Sequence, residues 1–151
     1  MAHKKTLCID FDGVLHSYTS GWSGHEHIAD PPVPGAMEFL YDALKTFKVA
    51  IFSSRSSTVQ GIEAMQKWVE AHAKPLFFDY GQPWWLQIEW PVHKPAAFLS
   101  IDDRAITFDG TWPSISELVA FKPWFQGAGE ARSGSAGSLK KAIQFLAEEG
   151  A

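Results

Sequence analysis

Apolar and polar positions alternate between short buried runs and helical faces along most of the chain. Thr6 to Phe11 is an apolar run that ends among acidic residues and Gly13, which predicts a buried strand entering a turn. Residues 16–34 carry many Gly, Ser, His and Pro with no period, which predicts a long loop of the kind that often serves function. Beyond Pro34, the spacing of Ala36, Phe39, Leu40, Ala43, Leu44 and Phe47 predicts an amphipathic helix, and the proline suits its start. Lys48 to Ser53 predicts a second buried strand, and Val59, Ile62, Met65, Trp68 and Val69 predict a second helix. Short strands are expected at Leu76–Phe78 and Leu86–Trp90, a clearer one at Ala97–Ile101, and one more at Ala105–Phe108. A Gly/Ser-rich linker is expected over 127–137, followed by a helix over 138–151 marked by Leu139, Ala142, Ile143 and Leu146, with Ser138 as N-cap.

Strand, helix, strand, helix, strand is the order of an α/β open parallel sheet, whose sites lie beyond the carboxyl ends of the strands. Here those ends carry Asp10 and Asp12, then Ser53, then Asp102 and Asp103. Three separate strands finishing in polar or acidic residues focus attention on one edge of the sheet.

Composition narrows the function without choosing it. The 151 residues suit one domain. The 17 acidic against 13 basic residues give a net charge of −4, which argues against non-specific duplex binding. Cys8 is the only cysteine and lies in an apolar run, so it reads as a buried small hydrophobe in a reducing compartment. No signal-peptide pattern opens the chain and no apolar run has the length of a membrane span, so a cytoplasmic protein without membrane contact is expected. Several of the 7 Trp and 11 Phe cluster late in the chain among prolines and read first as packing that staples loops to a small core.

The strand ends carry chemistry. Asp10 and Asp12 stand two apart, so an extended backbone turns both to one face. Two close carboxylates welcome a cation, and one of them can accept a phosphoryl group while the other moves protons. A calcium loop is excluded, because Val14 and Leu15 are apolar where further ligands should follow. A parallel sheet can set Asp102-Asp103 beside Asp10, giving an oxygen-rich set from Asp10, Asp12 and Asp102 that suits magnesium. Ser53 is placed to hold a phosphate oxygen. A helix N-cap is the competing use of a serine here, for which Ser56 or Ser57 is better placed. Lys94 can neutralise charge on a phosphoryl group.

Taken together, these residues resemble the haloacid-dehalogenase (HAD) superfamily. Its four motifs are matched in order by Asp10-Phe11-Asp12-Gly13-Val14-Leu15, by Val49-Ala50-Ile51-Phe52-Ser53, by Lys94, and by Ile101-Asp102-Asp103. Ser53-Ser54-Arg55 also resembles the Ser/Thr-Gly-Arg form of its phosphatases, and the similarity covers about residues 5–121. The resemblance implies a three-layer, Rossmann-like fold over 1–126 with little or no cap, since the spans between motifs hold only loop, helix and short strands. It implies Asp10 as nucleophile, Asp12 as general acid/base and Lys94 as catalytic lysine. Ser53, Ser54 and Arg55 would bind the substrate, and Mg2+ would sit at Asp10, Asp12 (through its carbonyl) and Asp102, with Asp103 orienting the shell. Phosphomonoester hydrolysis is the implied reaction, on a phosphorylated small molecule or a nucleic-acid end, with a homo-oligomer left open. Phosphoryl transfer to another acceptor and a non-catalytic phosphate-binding module are the alternatives. Within the long loop, His25 and His27 are read as solvated histidines ahead of substrate contacts, and a zinc site at His25-Glu26-His27 is disfavoured. Arg55 and Arg104 are read either as grips for a second substrate anion or as structural ion-pair partners.

Overall fold

The first strand, β1 (Thr6–Ile9), is flanked on both sides by parallel partners. β2 (Lys48–Ile51) pairs with it from Thr6↔Lys48 to Ile9↔Ile51, and β3 (Leu99–Ile101) from Leu7↔Leu99 to Ile9↔Ile101, giving the order β2-β1-β3. Parallel neighbours need crossovers, and the helices α1 (Ala36–Ala43) and α2 (Val59–Phe77) lie in them. The protein is thus an α/β fold on a parallel sheet. This computed structural model describes residues 3–77 and 83–124. The expected linker and helix over 127–151 lie outside the described residues.

Side-chain alternation decides where the core sits. Leu7 and Ile9 of β1 join Val49 and Ile51 of β2, Met37 and Leu40 of α1, and Met65, Trp68 and Val69 of α2 in one buried cluster. Strand periodicity sends the intervening Cys8, Ala50 and Ser100 to the opposite face, where they stand in register across the three strands. Each fully buried aliphatic side chain of this kind is worth about 1.5–3 kcal/mol.

Several elements differ from the sequence expectation. Leu76 and Phe77 form no strand; they continue α2, which carries Pro75 in its last turn, while Phe78 lies outside the described residues. In place of a strand over Leu86–Trp90 there is a 3-10 turn over Trp84–Gln87 that buries both Trp84 and Trp85. Glu89 alone then pairs beside β2, exchanging main-chain hydrogen bonds of 2.8 and 3.0 Å with Val49 and Ile51. Ala105–Phe108 is not a strand; among the described residues no neighbouring backbone supplies ladder partners. The 3-10 turn Ser54–Ser57 is capped by Ser53 itself, with Ser56 closing a capping box; Ser56 and Ser57 are not the cap.

The chain divides into two units, one comprising Met1–Tyr18 with Trp22–Asp102, the other Thr19–Gly21 with Asp103–Ala151. The first holds the sheet, α1 and α2. In the described part of the second, α3 (Ile115–Val119) begins at Ser114, whose hydroxyl accepts from the Glu117 N–H while Glu117 returns to the Ser114 N–H. No side chain of α3 is buried. Ahead of it, Asp109 closes a turn onto the Thr111 N–H, and Phe108 packs on Trp112 at 4.7 Å.

Candidate active site

The sheet register delivers two carboxylates to one place. Asp10 follows β1 and Asp102 follows β3. The Asp10 N–H donates to the Ile101 carbonyl at 2.9 Å, so the two strands leave the sheet side by side. Carboxylate oxygens of Asp10 and Asp102 lie within 4.8 Å of each other. Asp10 is half-buried and Asp102 exposed. Hard oxygen donors at this separation fit a cation such as magnesium, which is bound through one or two carboxylates and keeps several waters. Asp103 follows Asp102 and opens the second unit, where the Arg104 guanidinium lies 3.8 Å from its carboxylate.

Asp12 does not join that gathering of carboxylates. Its side chain is 14% exposed and turns instead to Arg55 and His16. The Arg55 Nε–H donates to both Asp12 oxygens, at 3.1 and 3.0 Å, and His16 Nδ1 lies 2.8 Å from Oδ1. The Asp12 carboxylate is thus committed to Arg55 and His16.

Arg55 is the largest fully buried side chain, with no exposed surface. Beyond Asp12, its Nη1 donates to the carbonyls of Gly24 and His25, both at 2.8 Å, and the Trp22 ring covers the guanidinium at 4.8 Å. Its Nη2 is buried without a hydrogen-bond partner. Of the two readings left open for Arg55, the structural ion pair is the one observed. The arginine ties the long loop to Asp12.

Ser53 is buried, and its hydroxyl accepts from the Arg55 N–H at 3.0 Å while facing Met65 Sδ at 3.5 Å. Its hydroxyl thus caps the turn that carries Arg55. Ser54 is exposed, and its carbonyl accepts from the Ser57 hydroxyl. Lys94 is exposed on the segment entering β3. Its charge reaches the Cys8 thiol, as do those of Asp10 and Asp102, so all three belong to the same region of the sheet. Burial is the main influence on that thiol and raises its pKa, with Lys94 pulling the other way.

The long loop is pinned at its base. Ser17 N–H donates to the Pro31 carbonyl at 2.9 Å and Val33 N–H to Leu15 at 2.8 Å, so the segments on either side of the excursion run together. Within it, His25 packs edge-on to Trp22 at 5.0 Å, and His27 is exposed. His25, Glu26 and His27 form no metal-capable cluster among the described residues. His16 behaves otherwise, being only 1% exposed. Sequence reasoning had no means of separating it from the other loop histidines, since its burial depends on Trp68 and Asp30 from far along the chain. The same holds for Asp30, whose carbonyl accepts from the Trp68 indole at 3.1 Å.

No family model, curated protein or solved structure matches the chain. The functional reading therefore rests on the residues and their geometry.

Proposed function

We propose that this protein is a magnesium-dependent phosphomonoester phosphatase of the HAD type, with Asp10 as nucleophile and Asp12 as general acid/base. The observation that carries the reading is the convergence of Asp10 and Asp102 at neighbouring parallel strand ends, with Asp12 two residues on and held in a separate hydrogen-bonded setting. The order of the four sequence motifs adds to it.

On this reading an Asp10 carboxylate oxygen attacks phosphorus as the bond to the leaving oxygen breaks, and Asp12 gives that oxygen its proton. Asp12 then takes a proton from water as the water oxygen attacks the aspartyl phosphate, which regenerates Asp10 and releases inorganic phosphate. Asp10 and Asp102 would hold the magnesium ion, which supplies charge screening between the phosphate and the nucleophile. Lys94 adds positive charge beside them. Arg55 holds Asp12 and the loop, and Ser53 holds Arg55, so neither is assigned a phosphate contact.

The test is phosphate release from a panel of aryl, sugar, nucleotide and nucleic-acid-end phosphates, with magnesium or with EDTA. Wild type should release phosphate only with magnesium, and Asp10→Asn should lose at least about 100-fold in rate while unfolding at a similar temperature. Equal release by wild type and Asp10→Asn would remove Asp10 from the chemistry and sink the proposal.

A further inference from the structure

We infer that His16 is a positioning residue for Asp12: it anchors Oδ1 and so leaves Oδ2 as the oxygen that exchanges protons with the leaving group and with water. The inference rests on the phosphatase reading of the site and specifies which atom of Asp12 acts.

The direction of each hydrogen bond fixes the imidazole. The Asp30 main-chain N–H, 3.1 Å from Nε2, can only donate, so Nε2 must present its lone pair. The Asp30 carboxylate is 3.6 Å from the same nitrogen, beyond hydrogen-bond reach. The proton of the neutral ring then sits on Nδ1, where it faces Asp12 Oδ1 at 2.8 Å. Arg55 Nε–H is shared between the two Asp12 oxygens. Oδ1 thus holds one donor of its own plus half of another, and Oδ2 holds only the shared one. The spare capacity of the carboxyl group is on Oδ2.

The ring has little freedom to do otherwise. Phe11 stacks on it at 5.6 Å, and Trp68 and Tyr18 meet it edge-on at 5.7 and 5.9 Å. Its backbone is tied on both sides: His16 N–H donates to the Phe11 carbonyl, and the His16 carbonyl accepts from Gly13 N–H at 2.8 Å. Gly13 has φ 81°, a conformation that glycine adopts without the Cβ penalty, and this lets the chain double back so that His16 lies beside Asp12. Asp30, which sets the tautomer, is itself held by the Trp68 indole. Sequence position, ring packing and tautomer all converge on a single donor to a single oxygen.

Proton delivery matters most when the leaving oxygen is basic, which separates this role from a merely structural one. The experiment compares kcat/KM for p-nitrophenyl phosphate, whose leaving group needs little protonation, with that for an alkyl ester, glycerol 2-phosphate. His16→Phe should lower kcat/KM on the alkyl ester by about 10–100-fold and on the aryl ester by less than about 3-fold. His16→Asn, whose amide N–H can reach the position of Nδ1, should recover most of the loss. In an Asp12→Asn background, His16→Phe should add no further selectivity, because there is no proton left to position. Equal losses on both esters, no loss on either, or failure of His16→Asn to outperform His16→Phe would overturn the inference. If wild type hydrolyses no member of the phosphate panel, the phosphatase reading fails first, and that result is seen before any variant is made; if it prefers other members, the same comparison is made between its substrates with acidic and basic leaving oxygens.

Discussion

The side chain most exposed to a decisive test is Arg55, a guanidinium with no solvent-accessible surface in a protein of fewer than two hundred residues. Replacing it with methionine keeps much of the volume and removes every donor. Asp12 then loses its cation, and the carbonyls of Gly24 and His25 lose bonds of 2.8 Å. Breaking a buried ion pair from one side typically costs about 3–5 kcal/mol, because the remaining charge is stranded. Two features reduce that here: the Asp12 side chain retains some contact with solvent, and His16 still donates to it. Gly24 and His25 are themselves only half-buried, which eases the loss of these two donors. An expected cost of about 3 kcal/mol follows, a large part of the roughly 5–15 kcal/mol that stabilises a domain. For a chain of this size it corresponds to a fall of about 10 °C in the unfolding midpoint. Urea unfolding measures it directly, with an unchanged slope showing that the same surface is exposed. The stranded charge can be isolated by a double-mutant cycle. Asp12→Asn removes it, so Arg55→Met should cost less by about 1–3 kcal/mol in that background. A cost below about 1 kcal/mol, or strict additivity with Asp12→Asn, would refute the claim that these two side chains form a coupled buried pair.

Three further outcomes are expected. A Cβ on Gly61 would lie 2.0 Å from the Arg55 carbonyl oxygen and 2.9 Å from Thr58 Oγ1. Gly61→Ala should therefore destabilise by about 1–3 kcal/mol despite the better helix propensity of alanine, and a raised midpoint in thermal unfolding would contradict the packing. The Cys8 thiol is buried, and burial raises its pKa, so a thiol reagent at pH 7.5 should label it slowly in the native protein and fully in denaturant. Rapid native labelling would show that the sheet face is open. His72 packs against Trp68, and burial, followed by the influence of His16, lowers its pKa. Its folded value then lies below the unfolded value of about 6.5, so its contribution to stability is present above that pH and lost as pH falls through the folded value. Urea midpoints between pH 7.5 and 5 should decline more steeply in wild type than in His72→Gln; parallel curves would remove His72 from the acid response.

The sheet was legible because its signals are local. β1, β2 and β3 each coincide with an apolar run that stops at a polar residue, and their parallel order follows from the intervening helical spacing. That order allowed Asp102 to lie beside Asp10, and the spatial arrangement β2-β1-β3 makes their strands neighbours. Elements whose state depends on a partner were not legible. Ala105–Phe108 has strand composition but no neighbouring backbone, whereas Glu89, a charged residue, pairs with β2 because Trp84 and Trp85 are buried just before it. Leu76, expected in a short strand, instead continues α2 past Pro75, since a proline near the end of a helix sacrifices only a hydrogen bond in the last turn. The orientation of side chains was harder still. Ser53 and Arg55 were picked out as residues facing a phosphate. Their internal partners, a turn N–H for one and a carboxylate with two carbonyls for the other, come from the folded loop and could not be read from the motif.

Asp10 and Asp12, separated by one residue, have been given opposite environments, and the loop geometry explains how. The carbonyl of Phe11, between them, accepts the N–H groups of Val14, Leu15 and His16, at 2.9 to 3.2 Å. That single acceptor curls the chain immediately after Asp12. Asp10 remains on the strand line beside Asp102, half-buried. Asp12 is carried into the curl, between a buried arginine from the second strand's end and a buried histidine from its own loop. On the proposed phosphatase reading, a nucleophile needs access and an acid/base needs a fixed direction, and one turn would supply both conditions. On this argument, substitutions that loosen the curl should damage proton transfer before they damage attack at phosphorus. Gly13→Ala tests this, because a Cβ at φ 81° strains that turn. It should show the same preference for aryl over alkyl esters as His16→Phe, and an equal loss on both would mean that the turn serves the nucleophile as much as the acid.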